Sequence, residues 1–181
     1  MPIYLMLTLG LHFGEAVSLR WCDVELDEGI INIKQTMIYV REKVTFKSPK
    51  TEKSKRILTT PIELINLLKE EKIRQNKLKL QDILKNELDL ICLNKYFRPW
   101  KQQMFFRLFN RLLEKNNLRY IKLHELRHTN ATLMLLSGTN IKTISERLCH
   151  ADIKITMNRY SHVLEDIDRE ASNNLSKILF K

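Results

Sequence analysis

The stretch "HELRHTN", His124 to Asn130, supports two chemistries with different partners. Read as H-E-x-x-H, it puts the imidazoles of His124 and His128 one helical turn apart, with the Glu125 carboxylate between them to activate water. That is zinc-hydrolase spacing, with Glu146 in reach as a third ligand. Read as H-x-x-R, it puts His124 and Arg127 side by side at i and i+3, a pair suited to a phosphate. The guanidinium offers a planar fork to two phosphate oxygens, and the imidazole donates to a third or accepts a proton. Arg127 argues against zinc, because it fixes a cation one turn from the place another cation must occupy. The longer zinc pattern also fails, since Ala131 and Met134 stand where a Gly and a third His are needed. On the phosphate reading, further groups fall into line. His150 ends a predicted helix, and Tyr160 follows ten positions later in "CHADIKITMNRY". Lys50 sits in the predicted turn "SPKTEKSK" between two strands. Each residue alone has an ordinary structural explanation; their order and spacing carry the functional reading.

These side chains need a scaffold, and the hydrophobic pattern outlines one. Apolar spacing predicts helices over Pro2 to Leu9, Phe13 to Trp21, Ile62 to about Leu80, Arg98 to Asn116, His124 to Leu136, Ile141 to Leu148, Ile153 to Tyr160 and Leu164 to Phe180. Phe105, Leu108, Phe109 and Leu112 are expected to form the core stripe of the fourth. Period-two alternation in "IINIK", "IYVREKVTFK" and "RILTT" predicts three strands between Gly29 and Thr60. "LDLICLN" reads as either a short strand or a buried extended segment. The expected class is a mainly α-helical α+β domain with a small three-stranded antiparallel sheet near the N-terminus.

The 181 residues fit one domain. A net charge of +10 and a pI near 9.6 favour a polyanionic partner, nucleic acid first. Cys22, Cys92 and Cys149 make no C-x-x-C pair and read as thiols of a reducing compartment. No apolar run approaches the roughly 20 residues of a membrane span, so a cytoplasmic location is expected. The opening "PIYLMLTLG" reads as the middle of a core helix, so residues preceding Met1 in a longer parent are expected.

Four stretches, in order, are similar to the tyrosine recombinases, the phage-integrase family: "LGLHFGEAVSLRWCDV", "KTEKSKR", "HELRHTNATLMLLSG" and "ERLCHADIKITMNRYSHV". The resemblance covers nearly the whole chain. It implies the catalytic domain fold of that family over residues 1–181, without the N-terminal core-binding and arm-binding domains. It implies site-specific recombination of double-stranded DNA by the integrase of a mobile element. On that resemblance Tyr160 is the nucleophile that forms a 3′-phosphotyrosyl link, and Lys50 is the general acid for the leaving oxygen. Arg127 is the second catalytic arginine, His124 acts in proton transfer and phosphate binding, and His150 hydrogen-bonds the phosphate. No cofactor and no metal is expected, because the cations supply the charge and the phosphotyrosyl bond stores the energy for religation.

Two positions depart from the family pattern. His12 stands where the first arginine belongs, and it lacks the permanent charge and the bidentate fork. Arg20 cannot replace it, since it lies two turns along the next helix. Slow or absent cleavage is therefore expected. Cys149 replaces the Gly of the family's "LGH". DNA-backbone contacts are expected from Lys53, Lys55 and Arg56 near the predicted hairpin and from Lys142 and Lys154 near His150 and Tyr160. The last helix carries an apolar stripe of Leu164, Ile167, Ala171, Leu175 and Ile178. It is expected to pack on its own core, with docking on a neighbour in a tetramer on DNA as the alternative.

Overall fold

The computed structural model describes residues 1–47, 55–150 and 152–180. Lys50 and Lys53, with most of the predicted turn between the strands, lie outside the described residues.

Helix α1 (Pro2–Leu9) starts with proline in its first turn, where the missing N–H is not needed. It stops at Gly10, whose φ of 64° is left-handed and suited to glycine. A side chain there is also excluded by space, since a Cβ would lie 2.7 Å from Asn130 Oδ1. Two residues later α2 (Phe13–Ser18) begins, with His12 at its cap and the His12 N–H donating to Glu15 Oε2 at 3.0 Å. A short 3-10 turn at Trp21–Asp23 leads into β1 (Val24–Glu25).

A small three-stranded antiparallel sheet is present, as expected, but its strands are not the three predicted ones. β2 (Ile30–Ile33) pairs antiparallel with both β1 and β5 (Arg56–Thr59), with Ile31 opposite Leu58. Ile31 and Ile33 face the core, as the alternation requires. "IYVREKVTFK" is two strands instead of one: β3 (Thr36–Val40) and β4 (Lys43–Lys47) form a separate hairpin. Its turn residues Arg41 and Glu42 both have positive φ, as a tight two-residue hairpin loop demands. Neither residue type announces such a turn, so the alternation looked unbroken.

Helix α3 (Ile62–Leu80) buries Leu64, Ile65 and Leu68 in the larger core and meets α1 there. In the ambiguous "LDLICLN", Leu88 is exposed in a turn and Asp89 takes a left-handed φ of 52°; only Leu90 to Asn94 forms a largely buried segment, with Leu90 bridged to Arg20 and Leu93 bridged to Pro99. Helix α4 (Gln102–Lys115) is shorter than expected. It buries Phe105, Phe109 and Leu113, whereas Leu108 and Leu112 are exposed, which corrects the predicted stripe. The four helices α5 (Leu123–Leu136), α6 (Ile141–Arg147), α7 (Ile153–Arg159) and α8 (Ser161–Leu179) follow. Asn140 caps α6 by accepting from the Lys142 N–H at 2.8 Å.

Two hydrophobic clusters result. The larger joins α1, α2, β2, β5, α3, α4 and the start of α5. The smaller joins α5, α6 and α8 around Ala131, Leu135, Ile144, Leu148, Tyr160 and Val163. α8 contributes to it only through its first turns, with Leu164 and Ile167 half-buried. From Asp168 onward every described residue of this helix is exposed, including Leu175 and Ile178, so the expected self-packing stops short of half the stripe. Among the described residues, no helix is long and apolar enough to cross a membrane.

Candidate functional site

Helix α5 is the backbone of the site, and two side chains fix it against α1. Arg127 is only 3% exposed and donates to the Gly10 carbonyl at 2.6 Å and to the Leu148 carbonyl. Asn130 Nδ2 donates to the Thr8 carbonyl at 3.0 Å. Thr8 lies in the last turn of α1 and Gly10 caps it, and carbonyls at a helix end lack partners within the helix. Arg127 therefore ties the end of α1 to the end of α6. A guanidinium carries five N–H donors, so further donors remain for a phosphate.

Cys149 takes φ 56° at the end of α6. The Cys149 N–H donates to the Glu146 carbonyl at 2.9 Å and the His150 N–H to the Ser145 carbonyl at 3.0 Å, the pattern of a Schellman cap. A glycine at the left-handed position would take this conformation without strain, which is the physical content of the family's Gly there. The reversal aims His150 at α7, where its Nδ1 lies 2.7 Å from the hydroxyl of the fully buried Thr156.

From the cap of α2, a row of rings runs to the start of α8. His12 stacks on His124 with centroids 5.7 Å apart and planes 11° from parallel. His124 meets His128 edge-on at 4.6 Å. His128 Nδ1 lies 2.9 Å from the Tyr160 hydroxyl. Tyr160 is 3% exposed, and its ring belongs to the smaller core cluster. The structure thus brings His12, His124, Arg127, His150 and Tyr160 to one place, with the phenol turned inward onto His128. In the sequence, spacing points to His128 only as a zinc ligand. Among the described residues, no cluster of His, Cys, Asp or Glu is placed to hold a metal ion, and His128 is engaged by Tyr160, so that alternative loses its ligand set.

The electrostatics follow from burial around one arginine. Burial, then the Arg127 charge, pushes His12 and His150 each down to about 4. The same two causes lower His124. Burial and the neighbouring His124 lower His128. Burial lowers Arg127 itself to about 10, so it stays charged at neutral pH. Burial raises the Tyr160 phenol, against the pull of Arg159 and Arg127. At pH 7 the described part of the site therefore holds the buried Arg127 cation, with the Glu15-paired Arg56 beside it, neutral imidazoles and a protonated phenol.

A pH dependence of folding follows. The unfolded chain protonates its histidines near 6.5, whereas folded His12 and His150 resist protonation down to about 4. Below 6.5 the unfolded state binds more protons, so stability falls as pH drops from 6.5 toward 4. Urea unfolding of the DNA-free chain should show midpoints declining across that window and flat from pH 7 to 8. A midpoint that holds steady on acidification contradicts these environments.

The predicted DNA contacts divide. Lys55, Lys142 and Lys154 are exposed. Arg56 differs from the expectation of a solvated contact: its side chain is 7% exposed and it holds Glu15 through two bonds of 2.9 and 3.0 Å. The pair crosses 41 residues of chain and locks β5 to α2, and no local signal reveals it. Arg20, set aside as a replacement for the first arginine, is bound to Asp23 at 2.8 Å.

A model described as the phage integrase family matches residues 1–166. A tyrosine recombinase XerC-like protein of Caldanaerobacter subterraneus is 28% identical, covering 93% of this chain and 46% of that protein. The ICEBs1 integrase of Bacillus subtilis is 26% identical, covering 94% of this chain and 46% of that protein. The chain thus spans about half the length of the curated relatives it matches. Among solved structures, the Tn1549 transposon integrase in complex with circular intermediate DNA shares the fold, with a TM-score of 0.77 at 21% identity over 96% of this chain and 58% of that one.

Proposed function

The chain belongs to the phage integrase family, and from that premise we propose that it is the catalytic part of a mobile-element integrase acting on double-stranded DNA in the cytoplasm. The Tyr160 oxygen attacks a backbone phosphorus, the phosphorus–O5′ bond breaks, and a 3′-phosphotyrosyl link and a free 5′-hydroxyl result. Rejoining runs the same steps backwards. The observation that carries the reading is the convergence of Tyr160 with His124, Arg127 and His128 of α5, across 32 residues of chain between His128 and Tyr160.

In this scheme Arg127 and His150 stabilise charge on the non-bridging oxygens, His124 contributes a further donor, and Lys50 protonates the leaving oxygen. The exposed Lys55, Lys142 and Lys154, with Lys53, bind the DNA backbone. The exposed half of α8, with Leu175, Ile178 and Phe180 in water, supports docking on a neighbouring protomer of a tetramer on DNA. His12 is the weak point: a neutral imidazole stands in for a bidentate cation. That favours, as a second reading, a protein that binds DNA without cutting it.

The test uses nicked suicide duplexes drawn from the DNA flanking the protein's own coding sequence, in which the cut strand diffuses away. This chain should accumulate an SDS-resistant protein–DNA complex slowly. No complex from this chain or from His12→Arg, with salt-dependent binding retained, would leave the binding-only reading.

A further inference from the structure

Proton transfer at the nucleophile has an occupant other than the histidine that the H-x-x-R spacing suggests. His124 is exposed at the start of α5 and stacks on His12, and among the described residues it makes no hydrogen bond to Tyr160. The group on the phenol is His128, one turn further along the same face, with Nδ1 2.9 Å from the hydroxyl. We propose that His128 is the base that takes the Tyr160 proton as the phenol attacks DNA, and the acid that returns it on rejoining. This role rests on the recombinase reading above.

The step balances without a further reactant. The O–H bond of Tyr160 breaks and its proton goes to the Nδ1 lone pair of neutral His128. The oxygen keeps the electron pair and forms the bond to phosphorus, and the departing O5′ takes its own proton from the general acid on the other side. In rejoining, imidazolium His128 reprotonates the phenol as the O5′ attacks. The geometry meets the requirement of a candidate base, since the two heavy atoms are within hydrogen-bond reach before DNA arrives.

The surroundings suit that task. The groups facing His128 are His124, Glu125 and Arg127 on its own helix, Arg159 at the end of α7, Tyr160 itself and His150 beyond α6. Burial, then the neighbouring His124 and the two arginines, lowers the pKa of His128 against the pull of Glu125, so the ring is neutral at pH 7 and has a lone pair to offer. Arg127 and Arg159 also pull the phenol toward ionisation, against the effect of its burial. An incoming phosphate partly offsets these cations and raises the basicity of His128 when it is needed. The base must carry its proton on Nε2. Arg159 Nη1 lies 3.5 Å from Nε2, a separation too long to impose the opposite tautomer.

Two measurements test this. The first needs no DNA: histidine-selective nitrogen NMR of the chain at pH 7 should show His128 neutral, unprotonated at Nδ1 and perturbed by Tyr160→Phe. A proton resident on Nδ1 overturns the proposal. The second is single-turnover cleavage of a suicide duplex in the His12→Arg background. His128→Asn keeps a polar group near the phenol and cannot take up a proton. It should slow cleavage about 10²-fold and remove the low-pH limb of the rate profile, which in the parent rises through the His128 titration to a plateau. A duplex with sulfur in place of the bridging O5′ needs no protonation of its leaving group, so it should leave the His128→Asn defect in place; restored cleavage assigns His128 to the leaving group and overturns the proposal. A His128→Asn variant with the parent's rate and profile sinks this role alone. A parent that makes no covalent complex sinks the recombinase reading and this role with it.

Discussion

Replacing Tyr160 by Phe should remove the SDS-resistant complex entirely and leave DNA affinity close to that of the unaltered chain. The substitution deletes the one atom proposed to bond to phosphorus and keeps the ring in the cluster with Leu135, Ile144 and Leu148. Affinity is set by cations on the DNA backbone, and no charge is lost. The folded state loses the hydrogen bond between His128 and the hydroxyl, a cost of about 1 kcal/mol. Denaturant unfolding should register that small change, and a filter-binding titration should register none. If Tyr160→Phe still forms the covalent complex, another residue is the nucleophile.

Restoring arginine at position 12 should have the opposite effect and raise the single-turnover cleavage rate by about 10²–10³. His12 sits at the cap of α2, stacked on His124, and is neutral at pH 7 because burial and Arg127 push it to about 4. It can give a phosphate one hydrogen bond and no charge. An arginine there adds a fixed charge and a fork opposite Arg127. Without DNA, that further cation beside Arg127 and Arg56 should lower the stability of the chain, so activity and stability move in opposite directions. Brisk and equal cleavage by both forms would show that His12 is no handicap.

Which features the sequence discloses depends on how local their causes are. The H-x-x-R spacing works because i and i+3 share a helix face, and α5 starts at Leu123, within one residue of the prediction. The helical pattern from Ile141 to the C-terminal region holds because Asn140 caps α6 and Asp152 caps α7 with their own side chains. The Gly expected at position 149 corresponds to a real left-handed residue. What escapes is long-range or unmarked. The β3–β4 turn is built from Arg41 and Glu42, which carry no turn signature. Leu108 and Leu112 look like core on a helical wheel, yet Leu113 faces inward instead. Arg56 reads as one more basic residue near a turn, and only the tertiary fold brings Glu15 to it. The His128–Tyr160 bond joins residues whose separation follows no helical period, so nothing in the spacing reveals it.

The proposed function requires that the oxygen of Tyr160 becomes bonded to a DNA 3′-phosphate. The most direct measurement is mass spectrometry of the covalent complex made by the His12→Arg form, after nuclease trimming and trypsin digestion. Cleavage after Arg159 and Arg169 isolates the peptide that begins at Tyr160. The account predicts that this peptide carries the nucleotide, joined through its 3′-phosphate to the tyrosine. A nucleotide on any other peptide, or a 5′-phosphate linkage, contradicts it.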